Sequence, residues 1–309
     1  MIAHNSPSEN CLCSFPERPL SRPAPFTLAR LFPVTESKAS RWVQSSELTR
    51  YRLAPNPGPM SLDGTNSYII SGEFSQVPQK IPGQEMPGQA GVVVVDPGPL
   101  EATHLRELAA AGRVELVLIT HHHSDHTEGA EEFHRITGAP VRALDASLCF
   151  AAPPLADGEV IEAAGVRIEV LATPGHTADS VSLLLPDDGD EGSVLTGDTI
   201  LGRGTTVIAY PDGRLGDYLA SLRRLEALGP KTVLPAHGPV LPDLGYIVRA
   251  YAAHREERLA QIREALSSLG AEAPVGAVTD VVYADVETSV RRAAETSVAA
   301  QLDYLRGWA

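Results

Sequence analysis

Residues 114–138, "VELVLITHHHSDHTEGAEEFHRITG", hold an apolar run, then four histidines and one aspartate within six positions, then a stretch with helical spacing. The run reads as a buried strand and "TEGAEEFHRITG" as a helix, so the histidines fall on the loop at the strand's carboxyl end. Imidazoles crowded there point to a metal, because neutral imidazole is among the commonest metal ligands. The spacing is His121-x-His123-x-Asp125-His126. Alternate residues of an extended loop project to one side, which lets His121 and His123 meet one cation while Asp125 and His126 face a neighbouring one.

Three other stretches share this grammar. "RIEVLATPGHT" (167–177) ends a strand and delivers His176, "SVLTGD" (193–198) delivers Asp198, and "KTVLPAHG" (231–238) delivers His237. Each ligand-type side chain follows an apolar strand and sits beside Gly or Pro. Strand ends of this sort converge on one edge of a sheet, where α/β folds place their sites. The buried run "VVVVD" (92–96) adds Asp96 at the same kind of position.

Around these points strands and helices alternate, with helices expected in "EATHLRELAAAG" (101–112) and "DYLASLRRLEALG" (217–229). Leu215, Tyr218, Leu219, Leu222 and Leu225 form one apolar stripe that can lie on a sheet. The pattern predicts an α/β fold of sheets covered by helices. Residues 1–28, rich in Pro, Ser and Asn, read as a poorly ordered extension, and "SQVPQKIPGQEMPGQAG" (75–91) as a long surface loop. Residues 29–243 form the main domain, and 244–309 a helical appendage.

Composition narrows the function. The hydrophobic fraction is 43% and no segment reaches the ~18 apolar residues of a membrane span. The first residues carry neither a basic nor an apolar signal region, so a cytoplasmic protein is expected. The three cysteines, Cys11, Cys13 and Cys149, imply no disulfide framework. A formal charge of −14 argues against a broad surface for duplex DNA, and no membrane partner is expected. The oligomeric state is not legible.

With "HHHSDH", "TPGHT", "TGD" and "AHG" in this order, the chain resembles the metallo-β-lactamase-fold hydrolases from about residue 50 to 243. That likeness implies a four-layer αββα sandwich. It implies that His121, His123 and His176 hold a first metal, that Asp125, His126 and His237 hold a second, and that Asp198 bridges both. Asp96 would orient rather than ligate. "NPGPMSLDGTNSYII", "AHREERLAQI" and "VYADV" resemble the β-lactamase-like protein 2 group, whose animal members are single-strand endoribonucleases. Its C-terminal part would be winged-helix-like. Glyoxalase II is similar and shares the ligand set. Ser180 departs from the pattern, standing where many relatives carry a second His, and Asp198 argues against β-lactam as the main substrate.

The chemistry implied is hydrolysis by water made acidic between two divalent ions, zinc first by donor type and manganese or iron as alternatives. Asp125 is the candidate catalytic proton acceptor. Single-stranded RNA is the first substrate reading, and a thioester or other ester the alternative. A non-catalytic scaffold is a third, weakened by the bridging aspartate, which a structural zinc does not need. Thr177 and Asn66 are read as substrate contacts or as turn stabilisers, and Arg203, Arg214 and Arg291–Arg292 as phosphate contacts or solvated charges. His254 either borders the cleft or packs on the sandwich. His122 is expected to point away as a spacer, and His4, His104 and His134 to face solvent.

Overall fold

A computed structural model describes residues 42–75, 90–285 and 287–307. The extension 1–28, His4, Cys11, Cys13 and most of the loop 75–91 lie outside the described residues.

Two sheets form the centre. The first has β1 (Val43–Gln44), β2 (Thr49–Leu53), β3 (Asn66–Ile70), β4 (Gly91–Val95), β5 (Arg113–Leu118) and β6 (Val141–Arg142), hydrogen-bonded in that order. The second has β7 (Val160–Ala163), β8 (Val166–Ala172), β9 (Val181–Leu185), β10 (Ser193–Gly197) and β11 (Thr232–Pro235), in the order β11-β10-β9-β8-β7. Both repeat one plan. Antiparallel strands β2-β3-β4 lead through helix α1 (Ala102–Ala109) to β5, parallel to β4. After the short helix α2 (Ser124–Thr127) and α3 (Ala130–Thr137), strands β8-β9-β10 lead through α4 (Leu215–Glu226) to β11, parallel to β10. Parallel neighbours need a crossover, and a helix supplies it on the outer face.

Burial follows from the two-residue period of the strands. Val93 and Val95 of β4 join Tyr68, Leu116, Leu118, Ile168, Val170, Leu183 and Leu195 in the core between the sheets. Val94 points the other way, into a cluster with Leu105 and Leu108 of α1 and Phe133 of α3. A run with both faces covered reads as continuous valine, as "VVVV" does. A one-residue slip of β4 would exchange these faces, and Val94→Asp would bury an unpaired charge at a position with no exposure. On the second sheet's outer face, all five residues of the α4 stripe are buried against Val194 and Val233. Four layers, α/β/β/α, result.

The chain continues as α5 (Leu244–Leu269), α6 (Val275–Val282) and α7 (Arg291–Arg306). Asp243 caps α5 by accepting from Tyr246 N at 2.9 Å. The helix has two attachments. Ile247, Val248, Tyr251 and Leu259 belong to the core beneath the second sheet, while Ile262 and Ala265 pack with Val278 of α6 and Val298 and Leu302 of α7. Among the described residues of 244–307 no strand exists to form a wing; a short 3-10 turn (Thr288–Val290) joins α6 to α7 instead. No helix among the described residues is long and apolar enough to cross a membrane.

Two histidines correct the expectation of solvent exposure. His104 is 2% exposed: it shares the inward face of α1 with Leu105 and Leu108, and its Nε2 lies 2.9 Å from Ser67 Oγ. Burial, and then the Arg52 cation, push its pKa down to about 4. His134 is half-buried at the end of α3, with Nδ1 2.7 Å from Ala139 O and its ring stacked on Phe150.

Candidate metal centre

The strand ends bring seven side chains together. His121, His123, Asp125 and His126 follow β5, His176 follows β8, Asp198 follows β10 and His237 follows β11. His123 Nδ1 lies 3.1 Å from His121 Nε2 and 3.0 Å from His176 Nε2. Asp125 Oδ2 lies 3.5 Å from His126 Nε2 and 3.2 Å from His237 Nε2. Asp198 stands between the groups, with Oδ2 3.7 Å from His176 Nε2 and Oδ1 3.3 Å from His237 Nε2 and 3.7 Å from His126 Nε2. The geometry groups His121, His123 and His176, then Asp125, His126 and His237, then His121, His126 and Asp198, and at the surface His122, Asp179 and Asp212, each close enough to hold a cation.

Local sequence explains the approach. Gly175, at φ +138°, has room for no side chain, because a Cβ there would fall 2.3 Å from Tyr218 Cα; this lets α4 pass directly under the His176 loop. Gly197, at φ +49°, meets Thr120 in the same way at 2.8 Å. Asp96 takes the left-handed conformation without being glycine, at φ +51°, and its carboxylate holds it there. Oδ1 accepts from Thr120 N at 2.8 Å, and Oδ2 accepts from Thr120 Oγ1 at 2.7 Å and from His126 Nδ1 at 2.8 Å.

These partners set the tautomers. His126 Nδ1–H donates to Asp96, His176 Nδ1–H to Val207 O at 2.6 Å, and His237 Nδ1–H to Gly64 O at 3.1 Å. Thr120 Oγ1 gives its only hydrogen to Asp96, so at 3.0 Å it accepts from His121 Nδ1–H. In the neutral rings the Nε2 atoms of all four are then bare lone pairs, turned toward neighbouring ligand-type atoms. His126 Nε2, His237 Nε2 and Asp198 Oδ1 are buried with no hydrogen-bond partner among the described residues. The short approaches of His237 Nε2 to Asp198 and Asp125 are not aligned hydrogen bonds. Buried lone pairs left facing each other are costly unless a cation takes them, so the donor set fits divalent metal.

Charge in the cation-free cluster agrees. Burial holds His121 well below and His176 below the ordinary histidine range and takes His123 to about 4. Burial opposes charge on His237 as well, but Asp198 and Asp125 raise it to about 11; Asp96 and Asp198 likewise raise His126. Asp198 is held well below the carboxylate range, and Asp125 below it, because the neighbouring imidazoles outweigh burial. The carboxylates thus draw positive charge toward His126 and His237, charge that a divalent cation would supply instead.

The sequence pattern of the metallo-beta-lactamase superfamily matches residues 86–237. A beta-lactamase-like protein 2 homolog from Caenorhabditis elegans is 32% identical over 286 residues, covering 82% of each chain. The chain belongs to the metallo-beta-lactamase superfamily. An atrochrysone carboxyl ACP thioesterase from Aspergillus fumigatus is 31% identical over 71% of this chain and 65% of its own length. A beta-lactamase domain protein from Burkholderia ambifaria shares the fold, with a TM-score of 0.69 at 22% identity over 88% of this chain and 90% of its own. Members of the superfamily are metal-dependent hydrolases, and the His/Asp cluster of this one suggests a dinuclear divalent site.

The remaining candidates of this metallo-beta-lactamase hydrolase are placed as follows. His122 turns outward to Asp179, 2.8 Å away. Asn66 is buried and donates to Pro235 O and Gly238 O, and Thr177 Oγ1 lies 2.7 Å from Ser180 Oγ, so both stabilise loops. Arg203 pairs through both Nη atoms with Asp63, Arg214 is exposed beside α4, and Arg291 pairs with Asp280 and Glu295. Arg292 is exposed. His254 is half-buried, and burial followed by Arg255 and Arg258 lowers its pKa to about 4. Sequence reasoning missed Thr120, Thr206 and the carbonyls of Gly64 and Val207. Thr120 had a signal, since it directly precedes the histidine motif; backbone carbonyls have none.

Proposed function

We propose that this chain hydrolyses a thioester or a related ester of a small carrier or metabolite. The observation that carries the reading is the pairing of Arg203 and Arg291 with acids, which leaves Arg214 and Arg292 as the exposed arginines among the sequence candidates. Arg203, read from sequence as a phosphate contact, is neutralised in a bidentate pair by Asp63, and Arg291 is neutralised by two acids. Beside the histidine loop the rim carries Asp179 and Asp212. The whole chain holds three lysines, of which Lys231, the one among the described residues, caps the carbonyls of Leu228 and Pro230. A polyanion draws most of its affinity from Lys and Arg on phosphates, and this rim offers little of it. A relative that is an ACP thioesterase by name supports the same choice. Single-stranded RNA is the second reading, favoured by the likeness to the beta-lactamase-like protein 2 homolog.

His121, His123 and His176 would hold one cation and Asp125, His126 and His237 another, with Asp198 between them. Two divalent ions, zinc by donor type with manganese or iron as alternatives, would polarise the substrate carbonyl and bring the pKa of water from 15.7 to about 7. Asp125 is the more open carboxylate, its side chain 30% exposed against 11% for Asp198. Its Oδ2 faces His126 and His237, which leaves Oδ1 to take the proton of the attacking water. As the carbonyl carbon bonds to water oxygen and the C–S bond breaks, the same oxygen returns that proton to the thiolate.

Elemental analysis paired with acyl-thioester, ester and single-stranded RNA assays on wild type and Asp125→Ala tests this. Turnover of a thioester that Asp125→Ala loses is expected; RNA cleavage with no turnover across an acyl-glutathione, acyl-CoA and ester panel would replace the reading with the second.

A further inference from the structure

Arg255 is a buried cation that the chemistry above does not use. It lies on α5, is 3% exposed, and has no carboxylate within ion-pair distance among the described residues. Its guanidinium sits over the Tyr218 ring at 5.0 Å, Nη2 donates to Thr206 O at 2.5 Å, and Nε has no hydrogen-bond partner among the described residues. Burying an unpaired charge is unfavourable, and an apolar side chain of the same length would pack there more cheaply. The group it holds gives the reason. Thr206 Oγ1 lies 3.1 Å from His176 Nδ1, and the next residue, Val207, supplies the carbonyl that fixes His176.

The other end of the same segment follows Asp198, and it too is held by helices. Tyr218 Oη donates to Thr199 O at 2.8 Å. Tyr251, one turn before Arg255 on α5, accepts from Leu201 N at 2.9 Å and stands 3.1 Å from Leu201 O. Gly202 N donates to His237 O at 2.8 Å. Residues 199–207 are therefore a strut between Asp198 and the acceptor of His176, and its fastenings come from α4, from the first half of α5 and from the loops of Thr173 and His237. Partners that fix the far nitrogen of a ligating histidine tune metal affinity.

We propose that Arg255 and Tyr251 are positioning residues of the metal centre, so that the C-terminal helix sets the orientation of His176 and Asp198. The inference rests on the metal-site reading and goes beyond it. Full-length wild type, Arg255→Met, Arg255→Lys and Tyr251→Phe are compared for zinc and cobalt binding against a competing chelator. The visible absorption of the cobalt-loaded proteins, urea unfolding without metal, and kcat and KM are measured alongside. Arg255→Met is expected to bind metal about 10- to 100-fold more weakly, with an altered cobalt spectrum and lowered kcat at unchanged KM. Arg255→Lys should recover part of the affinity by donating to Thr206 O.

Wild-type affinity and cobalt spectrum in both Arg255→Met and Tyr251→Phe, with a lowered unfolding midpoint alone, would overturn the proposal. If Arg255→Met does not fold, Tyr251→Phe, which removes one hydroxyl, decides by the same readouts. Wild type that binds no divalent ion sinks the metal-site reading itself, an outcome distinct from variants matching a metal-binding wild type.

Discussion

The two sheets run the same strand-helix-strand crossover, yet they end it differently. β4 runs into Asp96, which itself takes the left-handed turn at φ +51°. β10 runs into Gly197, which takes a similar turn at φ +49°, and its aspartate comes one residue later. That offset of one position changes the aspartate's task. Asp96 points back into the protein and holds Thr120 and His126, whereas Asp198 reaches forward to three imidazoles. Thr120 lies where the halves meet, bonded to Asp96 and against Gly197. The phase of a turn, as much as the residue type, decides which carboxylate supports and which binds.

The largest effect should follow from removing the forward aspartate. Asp198→Ala is expected to lose at least one metal equivalent by elemental analysis, with turnover falling toward the upper end of ~10²–10⁴-fold. Retention of both ions would break the comparison. Asp125→Ala should lose roughly 10²-fold in kcat, because it withdraws a proton acceptor, and should weaken the second cation's binding, because it removes one of the three side chains that would hold it. A smaller change is expected on the supporting side. Asp96→Asn and Thr120→Val each leave the ligands in place and should weaken metal binding about 10- to 100-fold, read by chelator competition. An Asp96→Asn loss as deep as that of Asp198→Ala would show that the two aspartates are not divided as described.

The smallest effect concerns stability under the first sheet. His104 is buried neutral with its pKa lowered to about 4 from an ordinary value of 6.5. The unfolded chain therefore takes up a proton before the folded one does. Stability from this group is full above about pH 6.5 and falls as pH drops through about 4, by no more than roughly 3 kcal/mol. Denaturant unfolding of wild type and His104→Gln across that window checks it. An equally steep acid loss in the variant would assign the effect elsewhere.

The cluster was legible because His121, His123, Asp125 and His126 crowd the loop after one apolar strand, while His176, Asp198 and His237 each follow another and sit beside Gly, a combination that local sequence displays. The four-layer arrangement was legible from strands and helices in alternation, with "VVVV" marking a strand covered on both faces. Much of the support was not. Gly64 and Val207 act through carbonyls that any residue carries, and Arg255 meets Thr206 across 49 positions with no pattern to announce it. His104 was misread because an eight-residue helix gives the periodicity too few turns to fix which face is inward.

Helix α5 begins at the 243/244 boundary that the sequence suggests between the main domain and the helical appendage, yet it belongs to both. Its first half completes the floor of the second sheet, and its second half seeds the small C-terminal core. A fragment ending at 243 would expose Leu219, Leu222 and the other apolar residues that α5 covers to water. Truncations and fusion junctions therefore need to leave α5 and α7 attached, because Ala300 of α7 joins the same floor.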